Sequence, residues 1–184
     1  MDRFSLPFPD KELAYKELTY DPCYLKIPEQ DRIPVVDAAW RKGEQAAIKT
    51  FKEFNGNYNF TDIAQKSGLA IEKKNIDYVV GNQRYFSDYI SGKKLLILYL
   101  GSIALWAENN SLSLYNAINI IISHEYFHFL ECTSLGLTSR DYTVPMLCIG
   151  KIKLGKTGIR ALSEIGAHAF AHTYYNLVAK KEVI

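Results

Sequence analysis

Cysteine is scarce, and its spacing excludes two kinds of protein. The chain has three cysteines in 184 residues, Cys23, Cys132 and Cys148, an odd number with no CxxC pair. Neither a disulfide framework nor a cysteine-rich metal site is built that way, so the thiols are expected to be reduced. Charge of one sign is also lacking. With 22 basic and 20 acidic residues the formal net charge is +2, too weak a field to call for nucleic acid or an anionic membrane as partner. Long apolar runs are absent as well. The longest, LLILYLGSIALWA from Leu95 to Ala107, falls short of the roughly 20 residues of a membrane span and reads as buried strand. The opening stretch MDRFSLPFPDKELAYKEL carries acids and prolines where an export signal needs an apolar core, so the expected location is cytoplasmic. No internal repeat is visible.

What remains is an ordinary globular composition, 48% hydrophobic and 23% charged. Prolines at 7, 9, 22 and 28 leave room for one short helix at about Lys11 to Leu18. From Pro34, suited to a first helical turn, VVDAAWRKGEQAAIKTFKEF spaces Val36, Ala39, Trp40, Ala47 and Phe51 as one helical face and ends at Asn55-Gly56. A shorter helix follows, with Thr61 as its cap and Gly68 as its stop. Between Leu69 and Ala107, AIEKK, DYVV, RYFSDYI, KLLILYL and IALWA read as strands of one sheet. A long helix from about Ser113 to Glu131 has Leu114, Ala117, Ile118, Ile121 and Ile122 as its core stripe, and a last helix runs from about Arg160 to Val178. The fold class is therefore α+β. Residues 1–60 are read as an N-terminal helical extension packed on a domain of residues 61–184.

The chemistry concentrates in His124-Glu125-Tyr126-Phe127-His128, an HExxH string inside the long helix. At 3.6 residues per turn the two histidines share a face and can reach one Zn²⁺ at about 2.0 to 2.1 Å. Glu125, offset around the helix, is placed to take a proton from a water activated by the metal. Catalytic zinc takes three protein ligands, so a third must come from elsewhere. Cys132 lies a turn beyond the site on the same helix. Glu164, in LSEIGAHAFAH on the last helix, is the better candidate, giving one Zn²⁺ per chain held by His124, His128 and Glu164. The four histidines all fall in these two helices. His168 sits one turn past Glu164, where it can support a ligand or meet an oxyanion; it is read as catalytic beside Glu125, whereas His172, two turns away, is the weaker candidate.

Other signals are weaker. Arg140 and Tyr142, in the loop between the two helices, are possible oxyanion donors. Gly150, Gly155, Lys156 and Thr157 fit the letters of a phosphate loop but lack the strand–loop–helix setting that chemistry needs. Ile63 to Gly68 has the start of a helix-turn-helix, yet a strand follows it.

The His₂Glu set resembles that of gluzincin-type zinc metallopeptidases. DIAQKSGLAIEKK, HEYFH and Glu164-Ile165-Gly166-Ala167-His168-Ala169-Phe170-Ala171 together resemble the ImmA/IrrE-type metallopeptidases over about Thr61 to Tyr175. In that pattern a short helix ends in Gly before a strand, then come HExxH and E-x-x-A-x-x-F-A. The chain departs from it in having no further His in FLECTSLG and in carrying His168 where the family has Asn. The resemblance implies a zincin-like fold, with a small twisted sheet packed on the HExxH helix, a single zinc and cleavage of proteins. Two functions follow as expectations: a zinc peptidase binding an extended peptide along the strand at Ile103 to Ala107, or a non-catalytic metal-binding or protein-interaction domain on the same scaffold. An intact Glu125 favours the first.

Overall fold

The computed structural model describes residues 6–149 and 152–181. Six α-helices and seven strands alternate with short turns: α1 (Lys11–Thr19), α2 (Glu29–Glu53), α3 (Phe60–Lys66), β1 (Ala70–Lys74), β2 (Tyr78–Val80), β3 (Gln83–Tyr85), β4 (Ser87–Ile90), β5 (Leu95–Tyr99), α4 (Leu100–Asn109), α5 (Leu114–Leu130), β6 (Thr143–Ile149), β7 (Ile152–Gly158) and α6 (Ala161–Lys181). The class is α+β. Among the described residues no helix is long and apolar enough to cross a membrane.

The sheet is small. Its order is β1-β5-β4, with β1 parallel and β4 antiparallel to β5, so Ser87 pairs with Leu98 and Ile90 with Leu95. Leu96, Ile97, Leu98 and Tyr99 are all buried, as expected of a central strand covered on both faces. Phe60, Ile63, Leu69, Leu96, Leu98, Ile121, Phe127, Phe170 and Tyr174 form the main core, which joins α3, the sheet, α5 and α6. The two remaining pairs, β2 with β3 and β6 with β7, are separate antiparallel hairpins.

The expected single sheet divides, since β2 and β3 pair with each other and not with β1, β5 or β4. Four further expectations change. IALWA is helical: α4 follows β5 directly, and Gly101 begins it against the backbone of Ile76 and Asp77, where a Cβ would lie 2.6 Å away. Ser102 Oγ accepts from Tyr78 N at 2.9 Å and donates to Asp77 Oδ1 at 2.9 Å, anchoring the turn. Burial of Ile103 and Ala107 follows a helical spacing that a continuous apolar run conceals. A strand at Ile103 to Ala107 is therefore not available to pair with a peptide. Second, α2 starts at Glu29 rather than Pro34; Pro28 precedes it, Glu29 and Asp31 favour its positive end, and Pro34 lies inside at the cost of one N–H. Third, α3 is capped by Asn59, whose side chain accepts from Asp62 N at 3.2 Å, and not by Thr61. Finally, Gly155, Lys156 and Thr157 lie in β7 of the hairpin, a pairing that the sequence reading missed; Gly150 is outside the described residues.

Helix α6 is packed between α2 and α5 at backbone distance. A Cβ on Gly43 of α2 would meet the Gly166 carbonyl oxygen at 2.1 Å and the Ala169 Cβ at 2.8 Å, and a Cβ on Gly166 would meet the Phe127 ring at 2.7 Å. Ala167, Ala169 and Ala171 continue the small surface and are fully buried. Such contacts leave no room to relax, because it is backbone and ring that would have to move.

Gly43→Ala is therefore expected to destabilise the protein by about 1–3 kcal/mol or more, read from urea unfolding. Gly92→Ala, where an added Cβ meets nothing, should stay within about 0.5 kcal/mol of the parent. Equal stabilities for the two variants would refute the close-packed helix pair.

Candidate metal centre

Helix α5 opens at Ser113, whose side chain accepts from Asn116 N, and runs without a proline or glycine through the HExxH string. It is buried nearly all round: Ala117, Ile120, Ile121, Ile122, Tyr126, Phe127 and Phe129 all face protein, while Leu114 is exposed. His124, Glu125 and His128 are only partly buried and meet the first turns of α6.

The two histidines and Glu164 converge. His124 Nε2 lies 3.3 Å from His128 Nε2 and 3.2 Å from Glu164 Oε2, and His128 Nε2 lies 3.5 Å from Glu164 Oε1. A tetrahedral ion with bonds of 2.0 to 2.1 Å sets its ligand atoms about 3.4 Å apart, so these separations are those of neighbouring corners around zinc. His168 is the looser member. Its ligand atom lies within 4.8 Å of those of His124 and Glu164, and its ring centroid is 5.0 Å from that of His124. The trio at 3.2 to 3.5 Å is the tighter fit to a single ion.

The proton bookkeeping agrees with a cation at this point. Glu131 is 3% exposed and its carboxylate is fully engaged: Oε1 accepts from Thr138 N at 2.7 Å and Ser163 Oγ at 2.9 Å, and Oε2 lies 3.0 Å from His128 Nδ1. A proton on Nδ1 toward Glu131 leaves the Nε2 lone pair of His128 aimed at His124 and Glu164. The His128 lone pair then faces the Glu164 carboxylate and the His124 Nε2, an arrangement that a proton or a metal ion between them relieves. Burial lowers the His128 pKa, but Glu131 and Glu164 outweigh it and hold it well above the usual value. Burial raises Glu131 and Glu164, yet their histidine partners pull both below the usual carboxylate range. His168, 8% exposed, is pushed down to about 3 by burial and then by the nearby charge of His124, so it is neutral at ordinary pH.

Glu125 stands beside the cluster. Ser87 Oγ of β4 donates to its Oε1 at 2.7 Å, so the sheet orients the carboxylate. Other sequence candidates are employed elsewhere. Tyr142 donates to Asp31 Oδ2 at 2.6 Å and lines a separate cavity of about 310 Å³ with Val35 and Leu162. His172 Nε2 is 3.2 Å from the Phe8 carbonyl oxygen. Arg140 is exposed, on a shallow cleft with Glu131 and Cys132.

Sequence reasoning missed three contributors. Glu131 could have been found from its spacing, three residues after His128 at the end of the helix expected from Ser113 to Glu131. Ser87 carries no signal, since its link to Glu125 is made by the sheet alone. Arg160 lines a cleft of about 350 Å³ with His128, Ser163 and Glu164, and only the position of α6 reveals it.

The His128–Glu131 pair sets a pH window for the metal-free protein. The Glu131 contribution is present above its ordinary 4.5 and is lost as pH falls through the lowered value. The His128 contribution is present below 6.5 and is lost as pH rises through the raised value. Resistance of metal-free protein to urea should therefore peak between 4.5 and 6.5, and Glu131→Gln should flatten that peak. The same variant should weaken zinc binding by about 10- to 100-fold in a competition titration. Unchanged zinc affinity would mean that Glu131 only packs. No family model matches the chain, and neither a curated protein nor a solved structure does.

Proposed function

We propose that the chain is a zinc-dependent peptidase of gluzincin type, akin to the ImmA/IrrE-type metallopeptidases, with His124, His128 and Glu164 as metal ligands and Glu125 as general base. The observation that carries this reading is the meeting of His124 Nε2, His128 Nε2 and the Glu164 carboxylate at 3.2 to 3.5 Å, beside a glutamate oriented by Ser87. Zinc in such a site supplies Lewis acidity that activates water and a peptide carbonyl. Glu131 holds the His128 ring so that its Nε2 would be free to bind the ion. Ser87 occupies one oxygen of Glu125 and leaves the other to take a proton from the attacking water and pass it to the departing amine. His168, neutral and next to His124, serves as a hydrogen-bonding group near the developing oxyanion.

A peptide substrate has an edge to join. With the order β1-β5-β4, β4 is an outer strand among the described residues, and it carries Ser87. An extended peptide paired with β4 would run past Glu125, which moves the docking edge from Ile103–Ala107 to Ser87–Ile90.

Purified protein is expected to hold about one zinc per chain by elemental analysis, and Glu164→Ala to lose it. Glu125→Gln should keep the zinc and lower kcat on a peptide substrate by about 10²- to 10⁴-fold. Protein that neither carries zinc nor takes it up refutes the metal assignment; Glu125→Gln with full activity refutes the base.

A further inference from the structure

Residues 6–9, Leu-Pro-Phe-Pro, come before α1 and lie against the same cluster. Leu6 is buried between Ile120 of α5 and Ala171 of α6. The Phe8 ring sits 5.3 Å from the His124 ring, 5.4 Å from the His168 ring and 5.8 Å from Trp106, on which it stacks at 26°. Its carbonyl oxygen is 3.2 Å from His172 Nε2, so that ring nitrogen is placed to donate to it. Prolines on both sides withhold two backbone donors, and among the described residues the His172 contact is the segment's one hydrogen bond. A phenyl group thus fills a pocket walled by three flat rings, one of them on a proposed zinc ligand. The segment around it is held by side chains rather than by a strand ladder.

We propose that the pocket between His124, His168 and Trp106 is a subsite for an aromatic side chain of the substrate, and that Phe8 is its intramolecular occupant. The inference rests on reading this cleft as the substrate site. Ring walls select an aromatic guest by offset stacking and edge contacts, which an aliphatic chain of equal volume does not reproduce. The tethered Phe8 competes at an effective concentration that reaches millimolar for a short flexible link, so a free guest binds weakly until residues 6–9 move aside. His172 then has its role: it holds the segment by the Phe8 carbonyl, and it is free to hold a substrate carbonyl at the same point.

The test uses the full chain as purified and reads binding without turnover. N-acetyl-phenylalanine amide and N-acetyl-alanine amide are titrated against the parent protein, Phe8→Ala and Phe8→Leu, following the Trp106 indole resonance by NMR. The phenylalanine amide should bind Phe8→Ala at least tenfold more tightly than the parent, Phe8→Leu should fall between, and the alanine amide should gain nothing. If Phe8→Ala loses its native circular dichroism, Phe8→Leu against the parent decides the outcome. No gain for the aromatic amide, or an equal gain for both amides, overturns the proposal. Loss of the peptidase reading would show in turnover and zinc content, whereas failure of the subsite would show in these titrations with turnover intact.

Discussion

Helix α6 can approach α2 and α5 only because glycine stands at both contacts. Gly43 admits the α6 backbone, and Gly166 leaves room for the Phe127 ring. Glu164 is two residues before Gly166 and Phe127 is one before His128, so the packing contact and the His–Glu contact share the same turns of helix. A methyl group at either glycine would push α6 outward. The separations of 3.2 to 3.5 Å between Glu164 and the two histidines, and with them the proposed metal site, follow from these two close approaches.

The electrostatics of the site are arranged in layers outward from the same point. Glu131, buried and saturated with donors, turns His128 so that its other nitrogen faces the cluster. The helix α5 backbone gives way at this residue to a π-type turn over Glu131–Leu135, a departure frequent at functional sites. Thr138 and Ser163, the partners of Glu131, belong to the turn after α5 and to the start of α6. One carboxylate therefore ties His128 to both helices. A residue in that position is expected to affect stability and, if His128 ligates metal as proposed, metal affinity as well.

The N-terminal residues are part of the site's surroundings. Phe8 rests on His124 and His168, and Glu17 of α1, whose pKa is raised by burial and then by the charge of Glu164, shares a cleft with Glu164 and Arg160. Neither residue has any spacing relation to HExxH. They arrive because α1 and α2 pack on α6, which carries one side of the site.

Local chemistry in the chain determined a good deal. The HExxH spacing put His124 and His128 on one face of a helix, and the apolar periodicity of α2 and α5 named those helices, because 3.6-residue geometry acts within a few residues. Strands β1 and β5 were legible from β-branched and aromatic runs. Where local signals were balanced, tertiary contacts decided. The apolar stretch Leu95 to Ala107, broken by Gly101 and Ser102, fits strand or helix alike, and the close contact of Gly101 with Ile76 marks where β5 gives way to α4. The pairing of β6 with β7, the orientation of Glu125 by Ser87 and the presence of Phe8 over the histidines join residues far apart in the chain. No periodicity records such contacts, since they depend on how deeply one helix can sink between two others.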